Sequence, residues 1–445
     1  MTITLAGGLV VTALHPPNVV EADVVIDGER IAAVGHGAER TGAVIDCSGS
    51  VLIPGNVCGH THLYSSLARG MPYRLEPPAN FLQILQRMWW RLDRALYEES
   101  VRASALVGGM EALLAGTTTL VDHHASPNAI DGSLDVVADA LAELGVRSIL
   151  AYEVTDRDGP QRAAAGTREN RRFLADVAAG GRPLARGMVG AHASFTLSND
   201  TLAGCVEAAR EADAGIHIHV AEDAADEHDA EQQFGQRVVE RLRDAGALDE
   251  RSLLAHCVHV DSGEVGLIRR AGAIVAHNAR SNMNNGVGRA PVAALGDRIV
   301  LGTDGIGSDL FAEAQAAYWR SREEDPAASP TWPLEALARG AAFTGRAFGE
   351  AALGRIEPGA PADLVVLDPV PPTPLTADSL AGHWMFGLTA ARVRDVFVAG
   401  EPVVRDRRLT RVDQDKLVAE ANVAARRLWE RMEGIEPHPF APAGN

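Results

Sequence analysis

Apolar runs rich in strand-forming residues begin near Val57, Thr117, Arg147, Gly187, Ile216, Leu253, Ile274 and Ile299, and helical segments separate them. This alternation restricts the fold more than any other feature of the chain. Parallel strands need long crossovers, usually helices, and the helices then cover the sheet. Eight such units close into a (β/α)8 TIM barrel of the α/β class, predicted over residues 54–353. The interval from 57 to 117 is the longest and holds an extra segment, Tyr64 to Leu96. Two readings of it stay open. It covers the barrel mouth, or Phe81, Leu85, Met88, Trp89 and Leu92, at helical spacing, form a helix face packed on the barrel.

The two chain ends read differently. Ala22–Ile26 and Ile31–Val34 flank Asp27-Gly28, a hairpin signal. A second strand-rich stretch spans Ala362–Leu367 and Val393–Val404. Neither end has enough apolar surface to form a core alone, so residues 1–53 and 354–410 are expected to join in one small composite β-sandwich domain. Residues 411–445 read as an amphipathic helix, with Leu417, Leu428, Trp429 and Met432 apolar, followed by a Pro-rich tail. The helix is expected to dock on the body or on a partner subunit, and barrels with such a helix commonly pair, which predicts a homo-oligomer, dimer or higher.

Composition removes several classes of function. The net charge is −18 and no basic run occurs, so nucleic acid is not an expected partner. No arginine or lysine precedes Arg30, and no long apolar stretch is present, so neither a signal peptide nor a membrane partner is expected and the location predicted is cytoplasmic. Cys47, Cys58, Cys205 and Cys257 are scattered and read as buried residues, with Cys58 and Cys257 close enough to histidine motifs to border a pocket. Lys416 is the only lysine, which excludes a P-loop or Schiff-base lysine in the barrel.

A barrel does its chemistry at the C-terminal ends of its strands. Strand one ends in His60-Thr61-His62, strand two in Asp122-His123-His124, and strand four in His192. Strand five ends in His217-Ile218-His219 followed by Glu222, strand six in His256, strand seven in His277-Asn278 and strand eight in Thr303-Asp304. Ten of the fifteen histidines fall at or just beyond such ends. Residues i and i+2 of a strand share a face, so His60 and His62 can reach one ion. A third imidazole from strand five and a carboxylate from strand eight complete a shell for a divalent metal.

Several motifs carry a family resemblance: Pro54-Gly55-Asn56-Val57-Cys58-Gly59-His60-Thr61-His62, His219-Val220-Ala221-Glu222, Ala255-His256-Cys257-Val258-His259 and Gly302-Thr303-Asp304. Together they resemble the amidohydrolase superfamily, in its cytosine-deaminase and chlorotriazine-hydrolase branch. Trp89-Trp90-Arg91-Leu92-Asp93-Arg94, Asp122-His123-His124-Ala125-Ser126-Pro127-Asn128 and Ser281-Asn282-Met283-Asn284-Asn285 are most similar to the SsnA-type aminohydrolases. The resemblance implies His60, His62, His219 and Asp304 as metal ligands. His217 shares a strand face with His219 and is expected to be buried and hydrogen-bonded.

The expected activity is hydrolytic deamination of a purine, pterin or pyrimidine-like N-heterocycle by metal-activated water. Zn²⁺ is the first candidate ion and Fe²⁺ the second. Asp304, Glu222 and His256 take the catalytic roles of base, proton shuttle and stabiliser of the developing charge. Arg69, His123, His124, His192 and Asn282 are candidates for substrate contact. Where related chains often carry proline, this one has Ala193 and Ala279, which weakens those transferred contacts. Ring opening of a cyclic amide on the same site is the alternative chemistry, and a metal-binding protein without catalysis is the alternative class. Related binuclear enzymes bridge two metals with a carboxylated lysine on strand four; with Lys416 outside the barrel, one ion per chain is expected.

Overall fold

The computed structural model describes residues 2–38 and 41–442, so the last three residues of the expected tail lie outside the described part. The first five strands are β1 (Thr2–Leu14), β2 (Pro17–Asp27), β3 (Arg30–Gly35), β4 (Ala43–Asp46) and β5 (Val51–Pro54). Nine more follow: β6 (Asn56–Thr61), β7 (Thr117–His124), β8 (Arg147–Tyr152), β9 (Ala185–Gly187), β10 (Val189–Ala193), β11 (Ile216–Val220), β12 (Leu253–His256), β13 (Ile274–His277) and β14 (Ile299–Leu301). The chain closes with β15 (Leu364–Leu367), β16 (Val393–Val398), β17 (Glu401–Arg405) and β18 (Arg408–Leu409).

The barrel strands run parallel in two arcs, β6-β7-β8-β9 and β10-β11-β12-β13-β14. Bridges between Val154 and Ala191 and between Thr61 and Asp304 join the arcs at both seams. Strand four of the expected barrel is broken into β9 and β10 around Met188, whose amide still donates to Leu150 O at 3.0 Å. The barrel strands are buried along nearly their whole length, as expected when helices cover the outside and side chains fill the inside. Ile149, Leu253, Ile274 and Val300 pack with Phe343 and Phe348 into an apolar cluster toward the strands' N-terminal ends. The histidines at the other end therefore stand above an apolar floor.

The remaining sheet has nine strands and draws on both chain ends, in the order β18-β17-β16-β15-β5-β1-β2-β3 with β4 on β1. The seam is β5 against β15, antiparallel, with Leu52 opposite Val366. A buried, two-pronged ion pair ties this sheet to the barrel: Arg147 of β8 donates to both oxygens of Asp363, at 2.9 and 3.0 Å. Removing one partner of such a pair strands a buried charge, so Asp363→Ala is expected to cost about 3–5 kcal/mol of stability, read by urea unfolding. A loss below about 1 kcal/mol would show that this ion pair contributes little to holding the two units together.

The last helix, Gln414–Glu433, buries Leu417, Ala424, Leu428 and Met432 on one face. It docks on the body, with Trp429 Nε1 donating to Leu67 O at 2.8 Å and Arg431 Nε to Ala95 O at 2.9 Å. Among the described residues no helix is long and apolar enough to cross a membrane.

Candidate active site

His60 and His62 project from the end of β6, His217 and His219 from β11, and His256 from the end of β12; Asp304 follows β14. Their backbone is drawn tightly together, with the amides of Thr303 and Asp304 both donating to His60 O, at 2.8 and 3.1 Å. This approach requires Gly302, because a Cβ there would lie 2.4 Å from Asn278 Oδ1 and 2.8 Å from the His60 Cβ. His256 and Asp304 both adopt left-handed backbone, with φ of 72° and 53°, a strained conformation that tends to persist where it aims functional side chains.

Backbone carbonyls fix the imidazole tautomers. A carbonyl only accepts, so His62 donates from Nδ1 to His123 O at 2.6 Å, and His219 donates from Nδ1 to His192 O at 2.8 Å. Their Nε2 lone pairs are thereby left facing each other across 3.1 Å. Asp304 Oδ1 lies 3.1 Å from His62 Nε2 and 3.7 Å from His60 Nε2. His60 uses Nδ1 on His217 Nε2 at 2.8 Å, while its own Nε2 is buried without a hydrogen-bond partner. Donor atoms gathered in this way repel unless a cation, a proton or a metal ion, lies among them, and the side-chain types suit a borderline divalent ion. Ligand atoms of His60, His219, His256 and Asp304 all fall within 4.8 Å of one another. The residues present thus fit a metal ion.

The local electrostatics agree. Burial pushes His60 down to about 3, so its ring is neutral at physiological pH. Burial also acts to lower His62, but the Asp304 carboxylate overrides it and lifts the ring to about 9, marking this spot as one that holds positive charge. Burial raises the Glu222 carboxyl to about 7, opposed by the neighbouring His256. Glu222 Oε2 is 3.5 Å from His256 Nε2, and Asn285 donates to Glu222 Oε1 at 3.2 Å. His256 in turn donates from Nδ1 to Asn282 Oδ1 at 2.8 Å.

The same architecture is found in known proteins. The model of the amidohydrolase family matches residues 51–403, most of the chain. The chain belongs to the amidohydrolase family. It is 32% identical over 446 residues to a 5-methylthioadenosine/S-adenosylhomocysteine deaminase of Halobacterium salinarum, covering 97% of this chain and 99% of that one. It is 29% identical over 443 residues to a 5'-deoxyadenosine deaminase of Methanopyrus kandleri, covering 96% and 99%. Among solved structures, an adenosine deaminase from Xanthomonas campestris with bound zinc superposes with a TM-score of 0.82 at 25% identity, over 97% of this chain and 99% of that one. A triazine hydrolase of Arthrobacter aurescens gives 0.81 at 25%, over 95% and 99%.

A pocket opens above the cluster in this amidohydrolase, reaching His62, His219, Glu222 and Asp304 at its base. Its walls include Phe81, Trp89 and Trp90 from the segment between β6 and β7, and Phe195 after β10. Both open readings of that segment therefore hold at once: Leu92 is buried in the core, while Phe81 and Leu85 face the pocket. Of the five candidate substrate contacts, only His192 reaches the pocket, with Nδ1 on Thr196 Oγ1 at 2.7 Å. Arg69 is instead largely exposed and forks onto Glu111, away from the pocket. His123 is buried behind the cluster, donating from Nε2 to His217 O at 3.1 Å. His124 is buried against Ser126, and Asn282 acts through His256. Cys58 lies beneath the site with Sγ 3.3 Å from Thr303 Oγ1, and all four cysteines are free and buried.

Sequence reasoning passed over Glu153 and Arg157. Both line the pocket, and Arg157 bonds Asp93 while lying 3.3 Å from Glu153. Glu153 is held well below the usual carboxylate range: burial alone would raise it, but His192, His123 and Arg157 outweigh that. The signal was available, because Glu153 follows β8 directly and the strand-end rule that located the histidines applies equally to strand three. Ser281, whose hydroxyl donates to Asp304 Oδ2, had no such local signal.

Proposed function

We propose that this amidohydrolase removes the exocyclic amine of a purine, pterin, pyrimidine or related N-heterocycle by hydrolysis, releasing ammonia. One juxtaposition carries the reading: metal-fitting lone pairs converge at the base of an aromatic-walled pocket, and a buried carboxyl that titrates near neutrality stands beside them. The relatives named as deaminases of adenine nucleosides support a purine-like ring.

His60, His62, His219 and Asp304 would hold one divalent ion per chain, with zinc the first candidate because the similar adenosine deaminase binds it. Bound there, such an ion supplies a Lewis acid that makes water nucleophilic at neutral pH. Asp304 accepts the proton released by the attacking water, while the Ser281 hydroxyl holds the other carboxylate oxygen in place. Glu222 protonates the ring nitrogen next to the carbon under attack; the carboxylate so formed takes the proton of the hydroxyl now on that carbon and passes it to the departing amine, and the proton that Asp304 took from water restores the acid form of Glu222. Burial, which lifts this carboxyl to about 7 in the metal-free protein, favours the acid form that the first transfer needs. His256, oriented by Asn282, stabilises the charge that develops on the attacking oxygen. Phe81, Trp89, Trp90 and Phe195 flank a planar ring and keep bulk water away from it.

The test is ammonia release from a panel of amino-substituted purines, pterins and pyrimidines, with cyclic amides alongside, using metal-reconstituted protein. At least one amino-heterocycle is expected to turn over with stoichiometric ammonia. Consumption of cyclic amides alone, without ammonia, would reassign the chemistry to ring opening.

A further inference from the structure

After the last helix the described residues stay on the body of the molecule. Residues 435–442 have no regular secondary structure, yet they follow one path along the segment between β6 and β7. Arg91 Nε donates to Ile435 O at 2.6 Å, and Arg94 Nη2 to Glu436 O at 2.7 Å. Gln86 is bonded twice, accepting from the His438 amide at 3.0 Å and donating to Phe440 O at 2.7 Å. His438 is buried against Trp90, with ring centroids 5.4 Å apart and Nε2 3.6 Å from Asp158. Phe440 bridges two pocket walls from distant parts of the chain, its ring 5.8 Å from Trp90 and 6.4 Å from Phe195. Pro442 is buried and itself lines the pocket. Irregular peptide stays in place only when its polar groups are satisfied, and here the Gln86 backbone carbonyl and the side chains of Gln86, Arg91 and Arg94, all from one segment, bond to it.

We propose that residues 435–442 are a fixed wall of the substrate pocket that sets substrate size, admitting a bare heterocyclic base and turning away its ribosylated form. The identity of the ring rests on the deaminase reading; the wall rests on the packing of Phe440 and Pro442. A ring whose reacting carbon lies at the histidine cluster fills the space between the aromatic walls. Pro442 lines that space and Phe440 backs the walls on either side of it, so a sugar carried on the ring would have to displace this segment. Charge adds a second filter. Arg157 is the only arginine among the described lining residues, and Asp93 and Glu153 engage it, whereas Glu222, Asp223, Asp226 and Asp304 also line the pocket. A phosphate or carboxylate arm finds no uncommitted arginine there.

Two variants test the wall: a chain ending at Pro437, and Phe440→Ala in the full chain, which keeps the test open if the shorter chain fails to fold. Each is compared with the full chain on adenine and adenosine, guanine and guanosine, and cytosine and cytidine. The base-to-nucleoside ratio of kcat/KM is expected to fall at least about tenfold in the shortened chain and about threefold in Phe440→Ala, with bound metal unchanged. An unchanged ratio, or a full chain that turns over nucleosides as well as bases, overturns the proposal. If no pair is turned over, the deaminase reading fails for these rings and metal stripping by dipicolinate decides the wall. Stripping at least about tenfold faster from the shortened chain, or about threefold faster from Phe440→Ala, supports it. Equal rates overturn it.

Discussion

Asp304→Asn is expected to lower kcat/KM by at least about 10³-fold and bound divalent metal to well under one ion per chain. The substitution preserves shape and removes the carboxylate charge that lies 3.7 Å from His60 and 3.1 Å from His62. Three neutral imidazoles then remain, a weaker and uncharged set for a divalent ion. Activity is lost twice over, through the ion and through the acceptor for water's proton. Elemental analysis of the purified and reconstituted variant, alongside ammonia release, separates the two losses. If the variant retains stoichiometric metal and loses activity, Asp304 serves as base only. If it retains both, the assignment of Asp304 fails.

Glu222→Gln is expected to lower kcat by about 10²–10⁴-fold while metal content stays at the wild-type level. Glutamine keeps the hydrogen bond from Asn285 within reach but cannot cycle a proton. The pairing of lost turnover with retained metal distinguishes a proton shuttle from a ligand, and a variant that matches wild type on every substrate turned over would remove Glu222 from the mechanism. The raised pKa also makes a stability prediction for metal-free protein. The carboxyl rises from 4.5 to about 7 on folding, so its neutral form is favoured in the folded state. That contribution is fully present below about pH 4.5 and is lost as pH rises through about 7. The glutamine variant, neutral throughout, is therefore expected to melt above wild type at pH 8 and close to it at pH 4.5. Equal melting temperatures at both values would show that Glu222 is not desolvated in solution.

Much of this enzyme was legible in local patterns. The starts of the barrel strands, the composite nature of the second sheet and the placement of histidines at strand ends all follow from periodicity, because a strand's alternation and a barrel's direction are properties of short segments. His60 and His62 could be paired from their spacing alone. Arg69 shows where such reasoning stops: it follows a strand, as the site residues do, but Glu111 lies close enough to claim its guanidinium, and only the packed helix reveals that.

Residue order alone suffices for the barrel, for the end at which its histidines gather and for the absence of any lysine from it. These depend on residue type and on spacing within one segment. The tertiary structure decided which nitrogen of each imidazole is free, since that depends on carbonyls at His123 and His192 far from the rings they fix. It also decided that Ser281 braces Asp304, that the segment between β6 and β7 both packs and lines the pocket, and that a tail more than three hundred residues downstream of it closes the same pocket. Such contacts join residues with no fixed separation along the chain, and only the closed barrel brings them together.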